Sequence, residues 1–221
     1  MTNFTLEPLD LAALLSSRIC HDVISPVGAI VNGLEVLEEE KDEEMRGFAL
    51  DLIKKSARTA SARLQFCRLA FGAAGSAGAS IDTGDAEQVA RGLLADDRTR
   101  LEWHAARVLM PKNRVKLVLN LCLIAASAIP RGGVITVRID GGEDAPHVLV
   151  EASGTNARLA SHVPRLLAGD PENNSIDAQG IQPFYTGLVA RAANMNVAVA
   201  AASDKISIEA VPCPVEEPAA A

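Results

Sequence analysis

Residues able to do chemistry gather within six positions of the chain: His21, Asp22 and Ser25, with Pro26 directly behind them. Imidazole is the side chain that is partly uncharged, and so nucleophilic, near neutral pH. The adjacent carboxylate of Asp22 can orient the ring or take its proton. Ser25, one turn on, has two readings: it positions a transferred group or a water, or it is a polar residue beside a kink. Arg18 lies one turn before His21 on the same face. Guanidinium groups around an outward histidine hold a phosphoryl group or attract an acidic partner. Pro26 breaks the local rule, because a proline inside a helix removes a backbone hydrogen bond and costs about 3 kcal/mol. Such a violation inside a consistent pattern tends to mark a functional site.

The element that must position these groups is a helix predicted over residues 8–39. Ile19, Val23, Val27, Ile30, Leu34 and Leu37 recur at steps of three and four, flanked by Cys20, Ile24 and Val31. His21 falls about 200° from that stripe and faces outward. A polar turn near residues 40–41 leads to a second helix predicted over 43–71, with Met45, Phe48, Leu52, Ser56, Ala60, Leu64, Cys67 and Phe71 in its stripe. The two form an antiparallel hairpin. His21 then lies level with residues 58–63, where Arg58, Ser61 and Arg63 sit, with Arg68 further along. Arg18 and Arg63 are candidate phosphoryl or partner-binding groups, and Ile24 and Val27 are candidate apolar anchors for a partner. One hairpin cannot bury both flanking rows. The expectation is a homodimer whose hairpins make a four-helix bundle; the alternative is a monomer packed on its own second domain.

The rest of the chain reads differently. Residues 72–80 are small, aperiodic and linker-like, which divides the chain into 1–72 and 81–212. Helices are expected at 84–95, 112–128, 157–168 (interrupted by Pro164) and 180–194. Strands are expected at 99–103, 134–139, 148–152, 197–201 and 205–209, with a frayed tail over 211–218. This is an α+β chain: a helical hairpin followed by one layer of helices on a mixed sheet. Its 221 residues are 48% hydrophobic but only 3% aromatic, which favours close-packed helices. A net charge of −7 argues against nucleic acid or an anionic membrane as partner. The four scattered cysteines read as buried, reduced thiols. With no signal peptide and no apolar run near the length of a membrane span, a cytoplasmic protein is expected.

His21, Asp22, Ser25 and Pro26 resemble the H-box of sensor histidine kinases. Residues 81–210 resemble the ATP-binding domain of the same enzymes. Leu117–Ala125 matches the N-box through Asn120, but the later, magnesium-holding asparagine falls on Ile124, which offers no oxygen to a hard cation. Val150–Asn156 matches the aspartate-x-glycine-x-glycine box. There the adenine-reading aspartate falls on Ala152, the first glycine remains as Gly154 and the second is Asn156. Phe184–Arg191 keeps Gly187 but little else of the phosphate loop. A site stripped of these groups is expected not to bind ATP.

A retained histidine hairpin joined to a nucleotide-blind domain resembles the ChpT-type histidine phosphotransferases, over almost the full chain. The resemblance implies a cytoplasmic phosphotransferase of bacterial cell-cycle phosphorelays. It would be a homodimer moving a phosphoryl group from the receiver aspartate of a hybrid histidine kinase to receiver aspartates of response regulators. No cofactor is expected on this chain, magnesium coming with the receiver. The alternatives are an active histidine kinase with an atypical nucleotide site, or a non-catalytic dimeric adaptor.

Overall fold

The computed structural model describes residues 4–72, 78–142 and 145–214. Two long helices come first, α1 (Pro8–Glu39) and α2 (Glu43–Ala70). Pro8 stands in the first turn of α1, where a missing N–H costs nothing. The turn between the helices is built by side chains. Arg46 of α2 donates to the carbonyls of Leu37 and Glu40, closing the C-terminal end of α1. Asp42 caps α2 by accepting from the Met45 N–H at 3.0 Å.

The seam inside the hairpin is narrow. Pro26 and Gly33 are buried on α1 against Ala49, Ser56, Ala60 and Cys67 on α2. Glycine at 33 is required by close approach, since a Cβ there would lie 2.7 Å from the Ile53 side chain. The expected stripes therefore split into two faces. Val27 and Leu34 of α1, and Met45, Phe48, Leu52 and Leu64 of α2, stay exposed although their periodicity matched the seam. Over an 18-residue window α1 has a mean hydropathy of 1.2, enough by length and composition to cross a membrane. Its apolar residues are divided between the α2-facing seam and the exposed stripe, and an amphipathic hairpin helix accounts for the value.

The remaining elements are β1 (Ser80–Asp82), α3 (Thr83–Leu94), β2 (Thr99–Ala105), β3 (Leu109–Pro111), α4 (Lys112–Ala128), β4 (Gly133–Asp140), β5 (His147–Ser153), α5 (Val163–Ala168), α6 (Ile181–Ala192), β6 (Met195–Ala202) and β7 (Lys205–Pro212). Five strands make one sheet in the order β2-β4-β5-β7-β6, with β2 and β4 parallel and the other pairs antiparallel. The short β1 and β3 pair separately. Helix α4 is apolar around most of its circumference because it is central, packing on α2, α3, α6 and the sheet. The main core is continuous from Phe66, Leu69 and Ala70 of α2 into α4 and the sheet. A second cluster joins Phe4, Leu11 and Leu14 to Leu166, Ile181 and Phe184, with the Phe4 and Phe184 rings edge-on at 5.8 Å.

Several expectations are corrected. Residues 157–162 are not helical; α5 starts at Val163 with Pro164 in its first turn, because proline tolerates a helix start and disfavours helix before it. Val211 and Pro212 are not frayed but pair with Asn196 and Met195 in β7, and residues 215–218 lie outside the described residues. Of the linker read at 72–80, residues 73–77 lie outside as well. Of the cysteines, Cys67 and Cys122 are buried, Cys213 is half-buried and Cys20 is exposed.

On the open face of the sheet Glu151 accepts from Lys205 at 2.5 Å, Arg138 at 2.7 Å and Ser207 at 3.3 Å. The Lys205 bond first, then Arg138 and Ser207, hold its carboxyl below the usual carboxylate range against the opposing effect of burial. A carboxylate whose folded value is depressed contributes stability above its unfolded value and loses it as pH falls through the folded one. Acidification through and below the carboxylate range is thus expected to lower the melting temperature. Glu151→Gln should melt lower than the native chain at neutral pH, and the gap should close in acid; equal melting at neutral pH would contradict this.

Candidate functional site

His21 stands where the sequence places it, on the outward face of α1 with its side chain 85% exposed. Its Nδ1 lies 3.6 Å from Asp22 Oδ1, beyond hydrogen-bond length but within reach of a small ring rotation. Asp22 itself is held firmly. Arg18 Nε donates to Asp22 Oδ2 at 3.0 Å, an i,i+4 pair with both partners about one-third exposed. Arg63, crossing from α2, donates through Nη1 to the main-chain carbonyl of Asp22. Arg63 therefore turns inward to the backbone beneath His21, whereas the sequence suggested an outward role. Ser25 and Val27 are exposed, and Ile24 is 70% exposed one turn from His21.

Sequence reasoning read Cys67 as a buried thiol but did not set it beside Asp22. It is buried one turn beyond Arg63, and burial together with the charge of Asp22 pushes its thiol up to about 11 against the opposing Arg18 and Arg63. The thiol is therefore neutral and acts as a small apolar filler beneath the ion pair. The available signal was its place in the α2 stripe at the level of Asp22.

The positions aligned with a nucleotide site have other work. Asn120 is fully buried on α4, and its side-chain amide donates to the Ala70 carbonyl at 3.1 Å and the Lys116 carbonyl at 2.9 Å. Gln182 of α6 donates to Asn120 Oδ1 at 3.2 Å and to its main-chain carbonyl at 3.0 Å, and also to Thr186. Gln182 and Thr186 were not foreseen; both are polar residues buried on the inner face of α6. Ile124 is buried. Ala152 lies in the core row of the sheet, opposite Ile135 and Ile206. Gly154 serves close packing, since a Cβ there would sit 2.5 Å from the Gly132 carbonyl. Asn156 adopts φ 59° and donates its N–H to Asp204 Oδ1 at 2.6 Å. At Gly187 a Cβ would meet the Leu167 carbonyl at 2.1 Å, so α5 occupies the space beside it. These residues do not fit a magnesium nucleotide: the amide that remains is engaged, and the other ligand positions are aliphatic. A cleft of 330 Å³ does remain between α1 and this region, lined by Arg18, Ile124, Arg158, His162 and Gln182 among others. Among the described residues no cluster of three or more His, Cys, Asp or Glu side chains is placed to hold a metal.

An exposed histidine on a two-helix stem stands beside a sheet domain with filled nucleotide positions, and the comparisons define the class as a protein phosphotransferase. Comparison with known proteins gives the family. Residues 83–205 match the model of the histidine phosphotransferase C-terminal domain. The chain is 50% identical over 206 residues to protein phosphotransferase ChpT of Brucella abortus (strain 2308), covering 93% of this chain and 97% of that protein. It also superimposes on a solved structure described as a bacterial phosphotransferase, with a TM-score of 0.86 and 48% identity over 94% of this chain and 98% of the other. The chain belongs to the ChpT family of protein phosphotransferases.

Proposed function

We propose that His21 is the phosphoryl carrier of a relay between receiver domains. The observation that carries this is an imidazole 85% exposed on a held turn, with a carboxylate on its Nδ1 side. The Nε2 lone pair attacks the phosphorus of an aspartyl phosphate on the receiver of a hybrid histidine kinase. The N–P bond forms, the P–O bond breaks, and the donor aspartate leaves as carboxylate. Asp22 accepts a hydrogen bond from Nδ1–H and stabilises the positive ring. The reverse step delivers the group to the aspartate of a response regulator. Magnesium arrives with the receiver and neutralises phosphoryl charge; the residues of this chain contribute placement. Arg18 and exposed Ile24 flank the docking face, with Ser25 and Val27 beside them.

On this reading the chain works in the cytoplasm in two parts, 1–72 as the transfer hairpin and 81–212 as a binding flank that takes no ATP. The engaged Asn120, the aliphatic Ile124 and Ala152, and the occupied space beside Gly187 support that. So does the Phe4–Phe184 contact, which ties the segment leading into α1 to α6, whereas an autokinase must carry its nucleotide to the histidine. Mixing the protein with a phosphorylated receiver and no ATP is the test. Label should reach the chain and then a second receiver; labelling from ATP alone, without any partner, would favour the kinase.

The hairpin is proposed to pair with a second copy through exposed Val31 and Leu34, beyond the receiver-docking residues, joined by exposed Phe48 and Leu52 of α2. Val31 and Leu34 are each 48% exposed, in a row too long for an ordinary monomer surface. Replacing Leu34 with aspartate should convert the dimer to a folded monomer in sedimentation. An unchanged mass would count against this face.

A further inference from the structure

The geometry points to Arg63 as a positioning residue whose role is created by Pro26, an inference that rests on His21 being the carrier. In an α-helix each carbonyl accepts the N–H four residues on. Pro26 has no N–H, so the carbonyl it leaves without a helical donor is that of Asp22. That carbonyl belongs to the residue directly after His21. Arg63 replaces the lost donor from the opposite helix. Asp22 is thereby held at both ends, by Arg18 on its carboxylate at 3.0 Å and by Arg63 on its backbone. Pro26 is buried in the seam, and buried Gly33 lets α2 come close on the same side, its missing Cβ lying 3.3 Å from the Ala49 carbonyl. The guanidinium therefore stays inside the hairpin, with the imidazole outside.

Arg63 then fixes the turn carrying His21, rather than touching the phosphoryl group or the partner. Proline and arginine form one device: the first frees a carbonyl and the second ties it to a rigid neighbour. A small misplacement of a reacting group costs up to about a hundredfold in rate. The loss of this tie should be visible in the transfer step rather than in receiver affinity.

The test compares Arg63→Ala, Pro26→Ala and the double variant in single-turnover transfer from a phosphorylated receiver, at saturating and low receiver concentration. His21→Ala serves as control, and all samples are confirmed folded by circular dichroism. Arg63→Ala should slow the saturating rate about tenfold or more, with little change in half-saturation. In the double variant residue 26 again offers an N–H to the Asp22 carbonyl, so its rate should return to within about threefold of Pro26→Ala alone. A double variant as slow as Arg63→Ala would overturn the proposal in favour of direct contact, and so would an unaltered rate in Arg63→Ala. If Arg63→Ala does not fold, the comparison of Pro26→Ala with the double variant decides alone: equal rates support positioning, and a tenfold deficit sinks it. Transfer persisting in His21→Ala would instead refute the carrier reading.

Discussion

Replacing His21 with alanine is expected to abolish passage of phosphoryl groups between receivers while leaving the melting temperature almost unchanged. The two halves of that expectation come from different facts. The imidazole lies in neither hydrophobic cluster and is largely exposed, so its removal is a surface change worth about 0.5 kcal/mol or less. Its neighbours keep their own partners, since Arg18 and Arg63 hold Asp22 without it. No N–P bond can form without the ring, and the nearest carboxylate, Asp22, is engaged by Arg18. Receiver binding should persist, because Ile24 and Arg18 remain. An adaptor needing no chemistry would lose nothing in the same variant.

A second large effect is expected at Asn120, and it is on stability. Truncation to alanine removes the donor to the last-turn carbonyl of α2 at Ala70 and the acceptor of Gln182. Buried groups left without partners cost about 1–3 kcal/mol each, and a small void adds to it. A total of about 3 kcal/mol corresponds to a fall of roughly 6–12 °C in melting temperature for a chain of this size. Among the described residues every buried side-chain nitrogen and oxygen has a partner, so there is no spare group to compensate. Scanning calorimetry with and without magnesium ATP checks both claims at once. The native chain should show no upward shift with nucleotide. A shift present in the native protein and lost in Asn120→Ala would return the residue to a ligand role.

Much of this architecture can be read from residue spacing, and the failures have physical causes. α1 runs from Pro8 to Glu39 and α4 from Lys112 to Ala128, as their periodicity and flanks imply. The short β1 and β3 go unnoticed because three residues cannot display alternation. The stripe of α2 reads as one face, yet Ser56, Ala60, Cys67 and the closing Phe71 enter the seam or core while Phe48 and Leu52 stay outside. Two adjacent apolar faces on one helix blur into a single 3.6-residue pattern. At the site, the outward histidine follows from helical periodicity, whereas the Arg18–Asp22 pair went unread although its i,i+4 spacing offered it, because Arg18 was assigned to a phosphoryl group or partner. The inward turn of Arg63 was open to inference as well: a proline at 26 orphans the carbonyl at 22 and calls for a donor from the facing helix. The engagement of Asn120 was not, because nothing local says that the end of α2 and the start of α6 converge on it.

The most direct test of the central claim is phosphorus NMR of the purified protein, first with magnesium ATP alone and then with a phosphorylated receiver domain and no ATP. The account predicts no phosphohistidine signal in the first sample. In the second it predicts a single acid-labile phosphohistidine signal, mapped to His21 by mass spectrometry and discharged by a second receiver. A phosphohistidine signal from ATP alone, or label carried at any residue other than His21, would contradict it.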